Sequence, residues 1–198
     1  MYERRIYSDS GERYLSILSI DELGNALDSL ERANEFLHRE ELPTHLSKWT
    51  AICLHHALYG FLICAVRGTS NKTVVFKNKK GEEFLIGFNE ALSRAQNEKY
   101  IRDKSVGPLN LSEEERESIC ILNEVFRNGF IHMIPGGWGF EESGWPLKIQ
   151  HVLRAIAFLT LEGRHILWPN TADRDRAAQL LRDMKSKTEE MQAKFGGE

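Results

Sequence analysis

Sixteen consecutive residues, Ala51 to Val66, carry no charged side chain other than the two titratable imidazoles of His55 and His56. The stretch reads as a helix from about Leu46 to Arg67, with Gly68 as its C-terminal stop. Ile52, Leu54, Leu58, Phe61, Leu62, Ala65 and Val66 cover most of its circumference. A helix apolar nearly all round needs neighbours on every side, so it belongs in the middle of a bundle. The apolar run is short for a membrane span, which takes about 20 residues.

The rest of the chain supplies those neighbours. Asp21 to Arg39 reads as a helix with Leu23, Leu27, Leu30 and Phe36 near one face, and Glu40 to Pro43 breaks it. Phe88 to Tyr100 predicts another, followed by a loop to Asn110. Ser112 with Glu115 three residues on is a capping box that starts a helix with Ile119, Leu122, Phe126 and Phe130 on one face. Pro135-Gly136-Gly137 ends it. Pro146 to Glu162 turns Ile149, Val152, Leu153, Ile156 and Leu159 inward. Thr171 caps a polar last helix, 171–194, whose few apolar residues are Leu180, Leu181, Met184 and Met191. It is expected to be peripheral, packed on the outside or on a partner.

One element breaks the helical pattern. Thr73 to Lys77 and Glu82 to Ile86 are β-prone runs around Asn78-Lys79-Lys80-Gly81 and predict a hairpin over about 73–86. The fold class is therefore all-α: one helical-bundle domain across 1–198 with a small inserted β-hairpin. Its core includes Ile52, Leu58, Phe61, Leu62, Leu122, Phe126, Val152 and Ile156. Residues 1–19 and 195–198 are expected to be poorly ordered, with Tyr14 to Ile20 a short strand or the lead-in to a helix.

The net charge of −3 argues against a broad basic surface for non-specific nucleic-acid binding but leaves room for a local basic cleft. Cys53, Cys64 and Cys120 form no CxxC pair and read as buried thiols in a reducing compartment. The start of the chain shows no apolar leader, so the expected location is cytoplasmic, away from membranes.

The chemistry concentrates in Arg127-Asn128-Gly129-Phe130-Ile131-His132, at the end of an apolar helix and before a glycine-rich turn. Arg keeps its charge at any working pH and forks onto phosphate. His gives or takes a proton near neutrality, from an ordinary pKa of about 6.5. RNA carries its own nucleophile in the 2′-OH, so a base and a cation suffice to cleave it. Two other Arg–His pairs have similar spacing, Arg32 with His38 and Arg39 with His45. The first lies in a charged helix and the second runs through Pro43, which stops one. Arg127 and His132 sit about 140° apart on an ideal helix, whereas Asn128 and His132 share a face. Gly129 and the length of the Arg side chain offer one way to close that gap. A composite site from two chains offers another.

The segment resembles the R-x4–6-H motif of HEPN-domain ribonucleases, in the form with Asn after the Arg, specifically over about Ile119–Glu141. The resemblance implies a helical bundle and a metal-independent endoribonuclease without cofactors. It would cut RNA to a 2′,3′-cyclic phosphate, in a toxin–antitoxin or defence setting. It implies Arg127 and His132 as catalytic, Asn128 as orienting His132 or supporting the site, and a homodimer with both motifs facing across a two-fold axis. It leaves room for an inhibitory protein partner.

Weaker candidates surround this motif. Lys77, Lys79 and Lys80 form a basic hairpin tip that suits phosphates, or a solvated turn. Trp138 offers a stacking face for a base, or a lid on the helix end. Of His55 and His56, one is expected in a core hydrogen bond and the other at a helix end or cleft, and no spacing supports a metal. Arg127 paired with Glu124 or with an acid in a neighbouring helix, and His132 capping the helix end, are the structural alternatives. The competing functions are a non-catalytic HEPN module binding a nucleotide, RNA or protein, and a structural dimerisation domain.

Overall fold

The computed structural model describes residues 20–39, 43–132, 135, 139, 141 and 143–195. The expectations for residues 1–19, Gly136–Trp138 and 196–198 lie outside them. The described chain is mostly helical, with one two-stranded antiparallel sheet. Helix α1 is Glu22–His38, α2 Pro43–Arg67, β1 Val75–Lys77, β2 Glu83–Leu85, α3 Phe88–Ala95 and α4 Glu113–Cys120. A π-helical stretch, Ile121–Arg127, joins α4 to the short α5, Asn128–Ile131. Helix α6, Trp145–Ala157, also runs into a π-helical turn, Phe158–Glu162, and α7 is Thr171–Phe195.

Helix α1 begins where Asp21 Oδ1 accepts from the Gly24 N–H at 2.7 Å, and buries Leu23, Ala26, Leu27, Leu30, Ala33 and Leu37. Helix α2 opens on proline, whose missing N–H is no loss in a first turn, and stops before Gly68, which takes φ +56°. Within α2, Ser47–Arg67 is long and apolar enough to cross a membrane, and 67% of its apolar 18-residue window is buried inside the chain. Helix α2 packs against α1, α3, α6 and the first π segment, so the core gathers around it. Gly60 permits the closest approach: a Cβ built there would lie 2.6 Å from Ala26 Cβ.

The expected core residues are buried, except Ile52. Ile52 is only half-buried because its spacing places it on the stripe of His56 and Tyr59, the partly open side of α2. Cys120 is exposed rather than buried: it follows the buried Ile119 by one residue, about 100° round the helix. Cys53 is half-buried and Cys64 buried. Helix α3 stops at Ala95, short of Tyr100, because Asn97 closes a turn in which its side chain accepts from the Lys99 N–H at 2.9 Å. Asn170 rather than Thr171 caps α7, accepting from the Asp173 N–H at 2.8 Å. Helix α7 packs on α6 and α1 of its own chain and buries Ala177, Leu180, Leu181 and Met184.

The hairpin pairs Val75 with Leu85, Phe76 with Phe84 and Lys77 with Glu83. Its turn is built by Asn78, whose Oδ1 accepts from the Lys80 and Glu82 N–H groups, and by Gly81 at φ +80°. Tyr59 of α2 donates to the Ile86 carbonyl at 2.5 Å and pins the hairpin root beside α3.

Candidate functional site

The helix that carries Arg127 is fixed at its start. Ser112 Oγ accepts from the Glu115 N–H at 3.2 Å, and Glu115 Oε2 accepts from the Ser112 N–H at 2.7 Å. Arg154 of α6 donates to the same Glu115 oxygen at 2.6 Å and ties the capping box to the bundle. Leu122 and Phe126 then bury the inner face of the π segment. A π turn closes its hydrogen bonds over five residues instead of four, and such turns recur at functional sites.

Asn123 and Arg127, four apart on this segment, lie toward α2. Asn123 Oδ1 takes the His55 Nε2–H at 2.9 Å, a bond that needs the Nε2 proton and leaves Nδ1 bare. His55 is buried, stacks on Phe88 with ring centroids 4.8 Å apart, and its Nδ1 has no partner among the described residues. Burial pushes its pKa down to about 4; the Asn123 bond opposes this, while the charges of Arg127 and His56 add to it. His55 is thus neutral at pH 7. His55 makes the expected core hydrogen bond, whereas His56 is exposed in the middle of α2 and not at a helix end.

Arg127 is half-buried, and its Nη1 donates to Asn128 Oδ1 at 2.7 Å. Adjacent residues do not face each other on a helix, so the long side chain has curled round to reach its neighbour. Asn128 and His132 share a stripe, and the His132 N–H donates to the Asn128 carbonyl at 2.8 Å. The guanidinium therefore arrives on the stripe that ends in His132. Asn128 supports the Arg; no hydrogen bond joins its amide to the His132 ring. His132 closes the helix at φ −115°, ψ 48°, and its exposed ring has no hydrogen-bond partner among the described residues.

Among the described residues no carboxylate comes within ion-pair reach of Arg127. Glu124, the expected alternative partner, instead accepts from Asn89 Nδ2 at 3.1 Å and from Asn123 Nδ2 at 3.2 Å. Of the two other Arg–His pairs, the first is occupied differently: Arg32 bonds Glu35 at 2.6 and 2.8 Å, and His38 Nδ1 bonds the Asn34 carbonyl at 2.9 Å. In the second, Arg39 lies over the Phe36 ring at 5.2 Å, and the His45 side chain is outside what the structure describes.

The hairpin lysines stay apart from this cluster. Lys77 pairs across the strands with Glu83 at 3.3 Å, while Lys79 and Lys80 are exposed at the turn. No hydrogen bond or ion pair links that tip to Arg127 among the described residues. Trp138 lies outside them. No three His, Cys, Asp or Glu side chains gather as metal ligands among the described residues.

Sequence reasoning named Glu124 as a neighbour of Arg127 but missed Asn89 and Asn123, the amides that hold it. Asn123 carried a signal, a polar residue four before Arg127 on an otherwise inward face. Asn89 carried none, because only the fold brings α3 to the π segment. Comparison with protein-family models, with curated proteins and with solved structures gives no match.

Proposed function

We propose that this chain is a metal-independent endoribonuclease of the HEPN type, whose motif Arg127–Asn128–His132 resembles. The observation that supports this reading most is the half-buried Arg127 guanidinium. It is held by an amide oxygen instead of a carboxylate and turned onto the stripe of an exposed His132. An amide oxygen orients a cation without neutralising it, so the charge stays available to a phosphate.

In the reaction, His132 removes the 2′-OH proton and the 2′-oxygen attacks the adjacent phosphorus. The bond from phosphorus to the 5′-oxygen breaks, and that oxygen leaves with a proton. Arg127 donates to the equatorial oxygens, where charge grows. A homodimer with the two motifs facing across a two-fold axis supplies a second imidazole as the acid for the leaving oxygen. It also brings a second Arg127 guanidinium to the same phosphate. The products are a 2′,3′-cyclic phosphate and a 5′-OH, and DNA is not cut because it lacks the nucleophile.

A second reading has its own support. No hydrogen bond joins Arg127 to the His132 ring, an arrangement that suits an RNA- or nucleotide-binding module without catalysis. RNA cleavage by wild type, Arg127→Ala and His132→Ala separates the two. The nuclease reading expects each substitution to lower the rate by about 10²-fold or more, the usual contribution of one such group. Full cleavage in both variants sinks the reading; no cleavage by any of the three, with RNA binding lost in Arg127→Ala alone, favours the binding module.

A further inference from the structure

Glu124 and Arg127 stand three residues apart on one helix, a spacing at which oppositely charged side chains ordinarily meet. Here they do not. Glu124 Oε1 receives the Asn89 amide at 3.1 Å and the Asn123 amide at 3.2 Å. Asn123 also donates to Asn89 Oδ1 at 3.2 Å, which closes a ring of three side chains. The ring is anchored inside the protein, because the Asn123 oxygen is taken by the buried His55 at 2.9 Å. Two amides therefore hold the carboxylate, Asn89 from α3 and Asn123 from the π segment, and His55 of α2 in turn holds Asn123. The widened π turn spaces Glu124 and Arg127 differently from an α-helix. Arg127, left without its natural partner, bonds the neutral Asn128 oxygen.

We propose that Asn89 and Asn123 are positioning residues that hold the Glu124 carboxylate on the α3 side, and so keep the Arg127 guanidinium open to an RNA phosphate. This rests on the reading of Arg127 as a phosphate contact and adds what keeps that contact available. Without the amides, Glu124 is free to turn onto Arg127, where it competes with the phosphate for the same donors.

Asn89 is exposed, so its replacement by Ala is compatible with folding. The probe is a fluorescently labelled 2′-O-methyl RNA oligonucleotide, which binds but cannot be cleaved because its 2′-oxygen carries no proton. Anisotropy titrations compare wild type with Arg127→Ala, Asn89→Ala, Glu124→Gln and the double variant Asn89→Ala/Glu124→Gln. Asn89→Ala should weaken binding by about fivefold, the upper end for a surface ion pair formed in competition. The double variant should return to wild-type affinity or better. Glu124→Gln should improve binding more in the Asn89→Ala background than in wild type, which is the coupling a double-mutant cycle reads. Asn89→Ala binding as wild type does, or a double variant as weak as Asn89→Ala, overturns the positioning role while the loss in Arg127→Ala stands. Arg127→Ala binding as tightly as wild type overturns the phosphate contact itself, and the positioning role with it.

Discussion

His55 makes the interior of the bundle sensitive to acid. Its pKa lies near 4 in the folded chain, against about 6.5 for an ordinary imidazole. The unfolded chain therefore binds a proton at a pH where the folded chain does not, and stability falls as pH drops. The loss begins near pH 6.5 and is complete below pH 4. Over the whole window, a depression of about 2.5 units corresponds to about 3 kcal/mol. By pH 5 the same relation gives about 2 kcal/mol, and at pH 6 slightly under about 1 kcal/mol. Other groups titrate in this window, so the contribution is isolated by difference. His55→Gln removes the titration and keeps a side-chain N–H for Asn123. Urea unfolding of both proteins from pH 7.5 to pH 4.5 gives two stability profiles. Their offset at pH 7.5 reports packing, and their divergence below pH 6.5 reports the proton. The wild type should lose about 2 kcal/mol more than the variant by pH 5. Parallel profiles would refute a buried, neutral His55 beside Arg127.

Two further outcomes test the packing. Gly60→Ala places a methyl 2.6 Å from Ala26 Cβ, so α1 and α2 must part by about 1 Å; the overpacking costs about 1–3 kcal/mol and outweighs the gain of up to about 1 kcal/mol in helix propensity. The thermal midpoint should fall, and adding Ala26→Gly should recover most of the loss; a midpoint that rises in the single variant contradicts the close approach. Alkylation with iodoacetamide in native buffer should modify the exposed Cys120 first and the half-buried Cys53 later. Cys64, whose thiol burial pushes up to about 12, should react only on unfolding, so peptide mass spectra showing it labelled as fast as Cys120 would contradict its burial.

Local rules carried much of the fold. Asp21, the Ser112–Glu115 box and the Asn78–Gly81 turn each satisfy backbone groups within a few residues, so their positions are written in adjacent sequence. The inward faces of α1, α2 and α6 follow from apolar spacing, apart from residues one step off the stripe. Cys120 at the end of α4 also stands one step off a stripe: its apolar neighbours suggested burial, but the helix turns it outward. The π segments were illegible, because Ile119, Leu122, Phe126 and Phe130 satisfy the α period as well as the wider turn. At the motif, the curl of Arg127 toward Asn128 follows from side-chain length. What restrains Glu124 does not, because Asn89 lies 34 residues before Asn123 and meets it only through the tertiary fold.

The proposed cleavage of RNA by Arg127 and His132 through the 2′-OH is read most directly from product end-groups. Purified protein, freed of divalent ions by a chelator, is incubated with a defined RNA and the fragments are weighed by mass spectrometry. Wild type should leave 2′,3′-cyclic phosphate and 5′-OH ends, and Arg127→Ala and His132→Ala should leave the RNA intact over the same time. Fragments with 3′-OH and 5′-phosphate ends, or fragments that persist in both variants, would contradict it.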